Sequence, residues 1–410
     1  MKSLYLNKLL IVLAVLMSTT VFSQNIETVT MNAGYTDDVY FSLDNGEITR
    51  VDRTNWDIAF YANVYTAGII TNDGNSIVLK TYPNGDISSW DNVDTTGYSS
   101  WTEMYNDETD WENGAFNRNQ TGHPDYGWGT LSMVDFNITG DSLFLIQLPD
   151  GVVKKLKIDK KYSSLDKYEF TYANIDGSDE YAVELDLKPF EEDNFYYYSL
   201  TNNQAIDREP AGNTWDLLFT KYHAVGIPMP VTGVFSNVNT GVAKYEHVTP
   251  DFVNWNMNDL DSTKNVIGYN WKSFNMSTFS YTINDSIVYF VQSTEGNIYK
   301  IHFTSFEGAS TGNIEFTSEL ISLNDIGDFN IDDEEFVLFP NPTSNNVNIN
   351  GDFQNKTDVT IYNITGQRVY YNTVQNCNTT SIPVSDFNSG IYFVRITRGN
   401  WFRTLKLNVE

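Results

Sequence analysis

The chain repeats itself, and the repeat limits the folds open to it more than any other feature. "VYFSLDNGEITRVDRTNWDIAF" (39–60) aligns with "YYSLTNNQAIDREPAGNTWDLLF" (197–219). Tyr40/Tyr197, Ser42/Ser199 and Leu43/Leu200 lead, past a two-residue insertion, to Trp56/Trp215, Asp57/Asp216 and Phe60/Phe219. Downstream, "GDSLFLIQLPDGVVKKLKI" (140–158) matches "NDSIVYFVQSTEGNIYKIHF" (284–303), with Asp141/Asp285, Ser142/Ser286, Gln147/Gln292 and Gly151/Gly296 coinciding. Both copies close on "EFT", at 169–171 and 315–317. The offset falls from 159 at the tryptophans to 144–146 in the second block, so copy 1 carries about 14 extra residues within 81–129. Order and spacing recur together, which defines a tandem duplication.

Each copy is written in β patterns. "SLFLIQL", "PDG" and "VVKKLKI" (142–158) spell an apolar run, a turn and an alternating run, which is a hairpin. "SIVYFVQ-STEG-NIYKIHF" repeats it, and "VYFSL-DNG-EITRV" predicts another with Asp44-Asn45-Gly46 at its tip. The helical period is scarce; 99–111 is expected to hold a turn or two of helix. The expected fold class is all-β, with two tandem homologous antiparallel β domains at 24–188 and 189–323. A β-sandwich follows them.

The ends of the chain concern its address. Lys2 and Lys8 precede an apolar core from Leu9 to Met17, with Val21-Phe22-Ser23 behind it. A basic stretch, an apolar segment too short to span a bilayer and a cleavage point after Ser23 make 1–23 a signal peptide. No later apolar run reaches the roughly 20 residues of a membrane helix, so no transmembrane segment is expected. Cys377 is the one cysteine, which excludes an intramolecular disulfide. The exported chain must then be held by its cores, and its 15% aromatic content supplies large side chains for them. A net charge of −28 speaks against nucleic acid and anionic membrane surfaces as partners.

Residues 324–335 are acidic and lack an apolar pattern, as a linker would. From 336 to 410 about seven short strands are separated by turn residues, the pattern of a small Ig-like β-sandwich. The blocks "LFPNPT" (338–343), "IYNITGQ" (361–367) and "SGIYFV" (389–394), then a basic last strand with Lys406, stand in that order. In this it resembles the type A C-terminal sorting domain of the type IX secretion system. Pro340, Asn341, Pro342, Gly366, Gly390 and Lys406 carry the resemblance. It implies a Gram-negative bacterium, Sec export, passage across the outer membrane by the type IX machinery, and a final place outside the cell or on its surface.

The cargo shows no G-x-S-x-G, H-E-x-x-H, P-loop or G-x-G-x-x-G motif, and it is read as a binding protein and not an enzyme. Asp57 and Asp216, the recurrent carboxylates, are expected to bond backbone or indole N–H groups. The repeated block is similar to the HmuY-type haem-binding proteins over 35–188 and 194–322. That resemblance implies an all-β fold gripping haem between loops through His or Met ligands. In copy 2 the available donors are His223, after "WDLLFTKY", and His247, with Met229 and Met257 nearby. In copy 1 Val64 stands where His223 stands in copy 2, leaving His123, Met104 and Met133. Haem is therefore the expected cofactor, seated in copy 2, and haem or another small ligand the expected partner. A competing reading is a surface adhesion module for glycan or protein. Trp90, Trp101, Trp111 and Trp128 of the copy 1 insertion are of the type that stacks on sugar rings, and of the type that covers a sheet edge. A third is a hydrolase working through carboxylates.

Overall fold

The computed structural model describes residues 24–63, 66–190, 192–322, 336–351, 353, 355–364, 367–398 and 401–409. The expected signal peptide 1–23, the linker 324–335, Val64 and Gly366 lie outside the described residues. The chain divides into two compact units, 1–324 and 325–410. Both are built from antiparallel sheets, so the all-β expectation holds.

In the first unit the predicted hairpins form as written. Leu143–Gln147 pairs Val153–Tyr162, and Ile287–Gln292 pairs Ile298–Phe306. Asp37–Ser42 pairs Gly46–Asp52. Where helical turns were expected at 99–111, the backbone instead has short 3-10 turns at Ile87–Asn92 and Tyr98–Ser100. Met104 forms a bridge to Leu79, which holds this stretch against the sheet.

The two copies are interlocked. Copy 1 lays down Val78–Thr81, Leu143–Gln147, Val153–Tyr162, Lys167–Asn174 and Tyr181–Asp186 as successive neighbours. Copy 2 lays down Gly241–Glu246, Ile287–Gln292, Ile298–Phe306 and Asn313–Ser322 in the same order, and Asn25–Thr30 from the chain's beginning closes that sheet. The smaller sheets are exchanged outright. The hairpin Asp37–Ser42/Gly46–Asp52 pairs with Leu217–Tyr222 of copy 2, and the hairpin Phe195–Ser199/Gln204–Ile206 pairs with Ile58–Tyr61 of copy 1. One core gathers residues from Ile58 to Leu200, the other Val29 to Leu43 with Leu217 to Phe316. The leading hairpin of each copy is thus buried in a core built mainly by the other.

Chain length accounts for the exchange. Had Ile58–Tyr61 paired with Asp37–Ser42 of its own copy, it would lie parallel to Gly46–Asp52 one strand beyond. Such a crossover takes a dozen or more residues, and only 53–57 are available. In copy 2 the connection is 207–216, also short of that need.

Asp57 and Asp216 clamp the exchange. Asp216 Oδ2 accepts the Leu43 N–H at 2.6 Å and its Oδ1 the Thr294 N–H at 2.6 Å. Asp57 Oδ2 accepts the Leu200 N–H at 2.7 Å, with Ser199 Oγ at 3.3 Å. Each carboxylate therefore ties the opposite copy's hairpin turn to its own strand, in the backbone role expected of it. The central strands of the small sheets are buried on both faces, which explains runs as apolar as "FYYYS" and "LLFTKY". Their outer faces meet, with Trp111 packed against both.

The second unit has seven strands among its described residues. Phe336–Phe339, Asn346–Gly351 and Thr379–Pro383 form one sheet, while Arg368–Val374, Thr357–Asn363, Gly390–Arg398 and Trp401–Val409 form the other. Val347, Ile349, Val359, Ile361, Val394 and Leu407 fill the core of this sandwich.

Candidate functional site

Where the small sheets meet, equivalent residues face one another. The hydroxyls of Tyr40 and Tyr197 lie 3.3 Å apart. Each tyrosine meets the other copy's tryptophan edge-on, Tyr40 with Trp215 at 5.0 Å and Tyr197 with Trp56 at 4.9 Å. Asn72 and Asn237 bind the carbonyls of Trp56 and Trp215 alike, at 3.0 and 2.6 Å. The molecule therefore has a local pseudo-twofold axis at this junction.

The charges break that symmetry. Asp38 and Arg208 form a buried ion pair at 2.8 Å, and Thr220 donates to Asp38 at 2.7 Å. At the same offset of 157 the counterparts of Asp38 and Arg208 are Phe195 and Val51. Glu209, beside Arg208, accepts from Tyr197 Oη at 2.9 Å, and burial pushes its carboxyl up to about 8. A chamber of about 60 Å³ opens here, walled by Tyr40, Trp56, Tyr197, Arg208, Tyr222 and Trp111. Its wall also holds Asp73, pushed up to about 6 by burial, and Lys264, pushed down to about 8 by burial. Lys264 Nζ donates to the Asp110 carbonyl at 2.9 Å and lies 4.7 Å from the Trp111 ring centre. The copy 1 insertion thus covers this side of the junction. On the pseudo-equivalent side, Tyr61, Asn63, Asp193, Asn194, Asn213 and Asn239 line an open polar cleft of about 440 Å³.

Of the expected haem donors, His223 alone lines the chamber. Its ring is half-buried and lies flat on Tyr105, 3.5 Å away at 3°. Burial lowers its pKa, against the pull of Glu103 and Glu108. His247 is exposed, with φ +62°, just past Gly241–Glu246 in a different sheet. Met229 is exposed, and Met257 packs against a separate cluster around Phe290. The four donors do not converge on one slot, and 60 Å³ holds only a few atoms. Among the described residues no group of three or more His, Cys, Asp or Glu side chains is placed to hold a metal ion. These residues do not fit haem. In copy 1 Met104 is in the core, while Met133 and His123 are exposed. His302 is buried, its Nδ1 2.9 Å from the Ile287 carbonyl.

The four tryptophans are distributed unequally. Trp128 is fully buried and donates to the Ala67 carbonyl at 3.0 Å. Trp111 donates to the Ser236 carbonyl at 3.0 Å and plugs the junction. Trp90 is half-buried, its indole N–H on Glu180 at 3.0 Å and the Lys155 ammonium 4.6 Å from its ring centre. Trp101 is half-buried, edge-on to Tyr82 and Tyr98. They mainly cover a sheet.

A pair of elements was missed in the sequence. The hairpins Gly129–Leu131/Ile138–Gly140 and Lys272–Asn275/Ser280–Ile283 are counterparts. Each follows a buried tryptophan, Trp128 or Trp271, and each carries Met five and Phe eight residues later. Met133, Phe136, Met276 and Phe279 are 59–77% exposed at the tips. Phe136 (φ +57°) and Phe279 (φ +51°) both have left-handed backbone. The signal was the shared spacing in "WGTLSMVDF" and "WKSFNMSTF".

In the second unit, Asn341 pins the proline turn to the last strand. Its Nδ2 donates to the Lys406 carbonyl at 2.8 Å and its Oδ1 accepts the Asn408 N–H at 2.8 Å. Pro340, Pro342, Gly390 and Lys406 are exposed.

Residues 337–410 match the family of secretion system C-terminal sorting domains. The C-terminal module is therefore a type IX sorting domain, and it directs the protein to the cell surface or the extracellular space. No helix among the described residues is long and apolar enough to cross a membrane. No curated protein matches the chain. Among solved structures, native alpha-2-macroglobulin from Escherichia coli, domains MG0-NIE-MG1, covers 76% of this chain and 91% of its own at 11% identity and a TM-score of 0.16. The BSP domain of a biofilm associated protein covers 95% and 81% at 8% identity and a TM-score of 0.16. Likeness at that level carries no argument. The family match covers only the C-terminal module, and no match supports the HmuY-type resemblance of 35–188 and 194–322.

Proposed function

We propose that residues 24–322 form a protein-binding adhesion module displayed outside the cell, and that its contact points are the twin apolar hairpin tips. One observation carries this reading. Both copies hold a phenylalanine in left-handed backbone at an exposed tip, beside an exposed methionine. That conformation costs a bulky residue about 1–2 kcal/mol and exposes apolar surface, so it has no value to the fold. Met and Phe suit an apolar protein surface and not a sugar, and the rings that could stack on sugars are mostly engaged within the fold. The module binds and does not catalyse. Its repeated carboxylates, Asp57 and Asp216, are committed to backbone N–H groups.

The test is a four-fold substitution, Met133→Ser, Phe136→Asn, Met276→Ser and Phe279→Asn. Asparagine tolerates left-handed backbone, so the variant should unfold at least as late as the parent, each Phe→Asn adding about 1 kcal/mol. Labelled parent protein should bind intact cells saturably, and protease treatment of those cells should remove the binding. The variant should bind at least tenfold more weakly; equal binding would defeat the reading.

Haem binding, the other reading, has a direct check. Titrated with haemin, the protein should give no saturable red-shifted Soret band. A band that disappears in His223→Ala would reinstate haem.

A further inference from the structure

The open cleft on the pseudo-equivalent side of the junction has a fixed floor made from four stretches of chain. The Ala62 N–H donates to the Asn194 carbonyl at 2.8 Å, and Asn194 Nδ2 donates to Asn237 Oδ1 at 2.8 Å. Asn237 Nδ2 donates in turn to the Gly212 carbonyl, and the Gly212 N–H reaches the Glu192 carbonyl, both at 2.6 Å. Four side chains that line the cleft are left out of this network. Asp193, Asn213 and Asn239 have no side-chain hydrogen bond among the described residues. Tyr61 is more than nine-tenths buried, yet its hydroxyl keeps contact with solvent and likewise has no partner there. A buried phenol usually finds a partner within its own chain, so this one points to a guest.

The duplication shows what is missing. Asn72 and Asn237 are counterparts, and their side-chain amides donate to the carbonyls of Arg53 and Gly212 at 2.7 and 2.6 Å. Arg53 is buried and its Nε donates to the Tyr35 carbonyl at 2.9 Å, so a guanidinium closes that place in one half of the molecule. Gly212 leaves it open in the other, beside Glu192, the counterpart of Tyr35 at the offset of 157. Glu192 and Asp193 are the charged residues of the cleft wall, and among the described residues no lysine or arginine lines it. Burial, then the nearby Asp207 and Glu192, push Asp193 up to about 6, so at pH 7 it is largely ionised. The rest of the wall narrows the guest. An asparagine amide offers both donor and acceptor, which suits hydroxyl groups, and Ala62 and Val238 add little apolar surface. A volume of about 440 Å³ is of the size that holds small molecules, about 300–1,000 Å³.

We propose that this cleft binds a saccharide bearing a free ammonium group, an amino sugar, with its ammonium on Asp193 and its hydroxyls on Tyr61 Oη, Asn213 and Asn239. The guest supplies the positive charge that Arg53 supplies in the other half. The site occurs once, because Arg53 and the copy 1 insertion close its counterpart. A neutral sugar lacks the charge and a diamine lacks the hydroxyls, so neither satisfies the whole wall.

The test uses the full chain at pH 7 and glucosamine hydrochloride, with sodium chloride at matched ionic strength as the reference. Calorimetric titration should show saturable binding of glucosamine. Glucose, N-acetylglucosamine and putrescine should each bind at least tenfold more weakly. Asp193→Asn keeps the shape and removes the charge, along with its repulsion from Asp207 and Glu192. It should melt no lower than the parent and bind glucosamine at least tenfold more weakly. Asn213→Ala and Asn239→Ala change exposed positions, and Tyr61→Phe removes one hydroxyl; each should weaken binding about three- to tenfold. The four-fold tip variant should bind glucosamine as the parent does, since none of its positions lines the cleft. Putrescine binding as tightly as glucosamine would overturn the proposal, leaving an acidic surface that gathers cations. So would glucose binding as tightly, no saturable binding of glucosamine, or a folded Asp193→Asn variant that binds it like the parent.

Discussion

Residues 24–188 and 189–322, produced as separate chains, should each fail to give a folded monomer, and mixing them should restore a one-to-one complex. The chain 189–322 lacks Asn25–Thr30, the strand that closes its larger sheet, and the hairpin that pairs with Leu217–Tyr222. It thereby loses Val29, Met31, Val39, Phe41 and Leu43, all buried in its core. At about 2 kcal/mol for each buried apolar side chain, five such losses come to about 10 kcal/mol. That equals the whole stability of an ordinary domain, about 5–15 kcal/mol. The Asp216 carboxylate would also lose the Leu43 N–H it accepts. The chain 24–188 loses Tyr196, Tyr198 and Leu200 from its core, together with the donors to Asp57. Urea titration followed by circular dichroism, with sedimentation to count chains, decides the matter. A fragment that unfolds cooperatively as a monomer, near the midpoint of the intact protein, would contradict the exchange.

What could be read from the sequence was local, and what escaped was a choice between equivalent partners. The hairpins at 143–162 and 287–306 follow from apolar runs, turn residues and alternation lying within twenty residues of each other. The sorting module is legible for the same reason, since "LFPNPT" and the Lys406 strand act through a short network around Asn341. The exchange has no such signature. Duplicated copies carry matching edges, so the strand patterns alone do not say whether Val39 faces Phe60 or Phe219. The length of the connection 53–57 does say it, through the crossover it forbids. The tryptophans show the same limit. Residue type does not separate Trp128, whose indole bonds the Ala67 carbonyl in the core, from Trp90 at the surface. His223 and His247 are neighbours in sequence, yet they leave their strands in different sheets. Met133 and Phe136 were hidden for a simpler reason. Their exposure is meaningful only because Met276 and Phe279 repeat it.

The protein should be more stable at pH 5 than at pH 7, and Glu209→Gln should remove most of that difference. Burial raises the Glu209 carboxyl from 4.5 to about 8, while the unfolded chain keeps its ordinary value. A carboxyl raised in the folded state favours folding fully below its unfolded pKa. That advantage is lost as pH climbs through the folded pKa. Between pH 5 and 7 the slope is about 1.4 kcal/mol per pH unit, or about 3 kcal/mol across the interval. Asp73, raised from 3.8 to about 6, acts in the same direction up to pH 6. The buried lysines work the other way, but higher. Lys264 and Lys161 fall from 10.5 to about 8 and Lys272 to about 7, so the stability they withdraw as pH drops is already withdrawn near pH 7. In the interval from 5 to 7 the raised carboxyls, Asp193 at about 6 among them, gain stability as pH drops, while His223, whose pKa burial lowers, withdraws some of it. Glutamine matches the protonated side chain and still accepts from Tyr197 Oη. At pH 7 the variant should exceed the parent by about 3 kcal/mol, and at pH 4.5 the two should coincide. Urea midpoints at these pH values measure it. Parallel stability curves for parent and variant would show that Glu209 is ionised in the folded protein, and its place beside Arg208 would then be that of a second counter-ion.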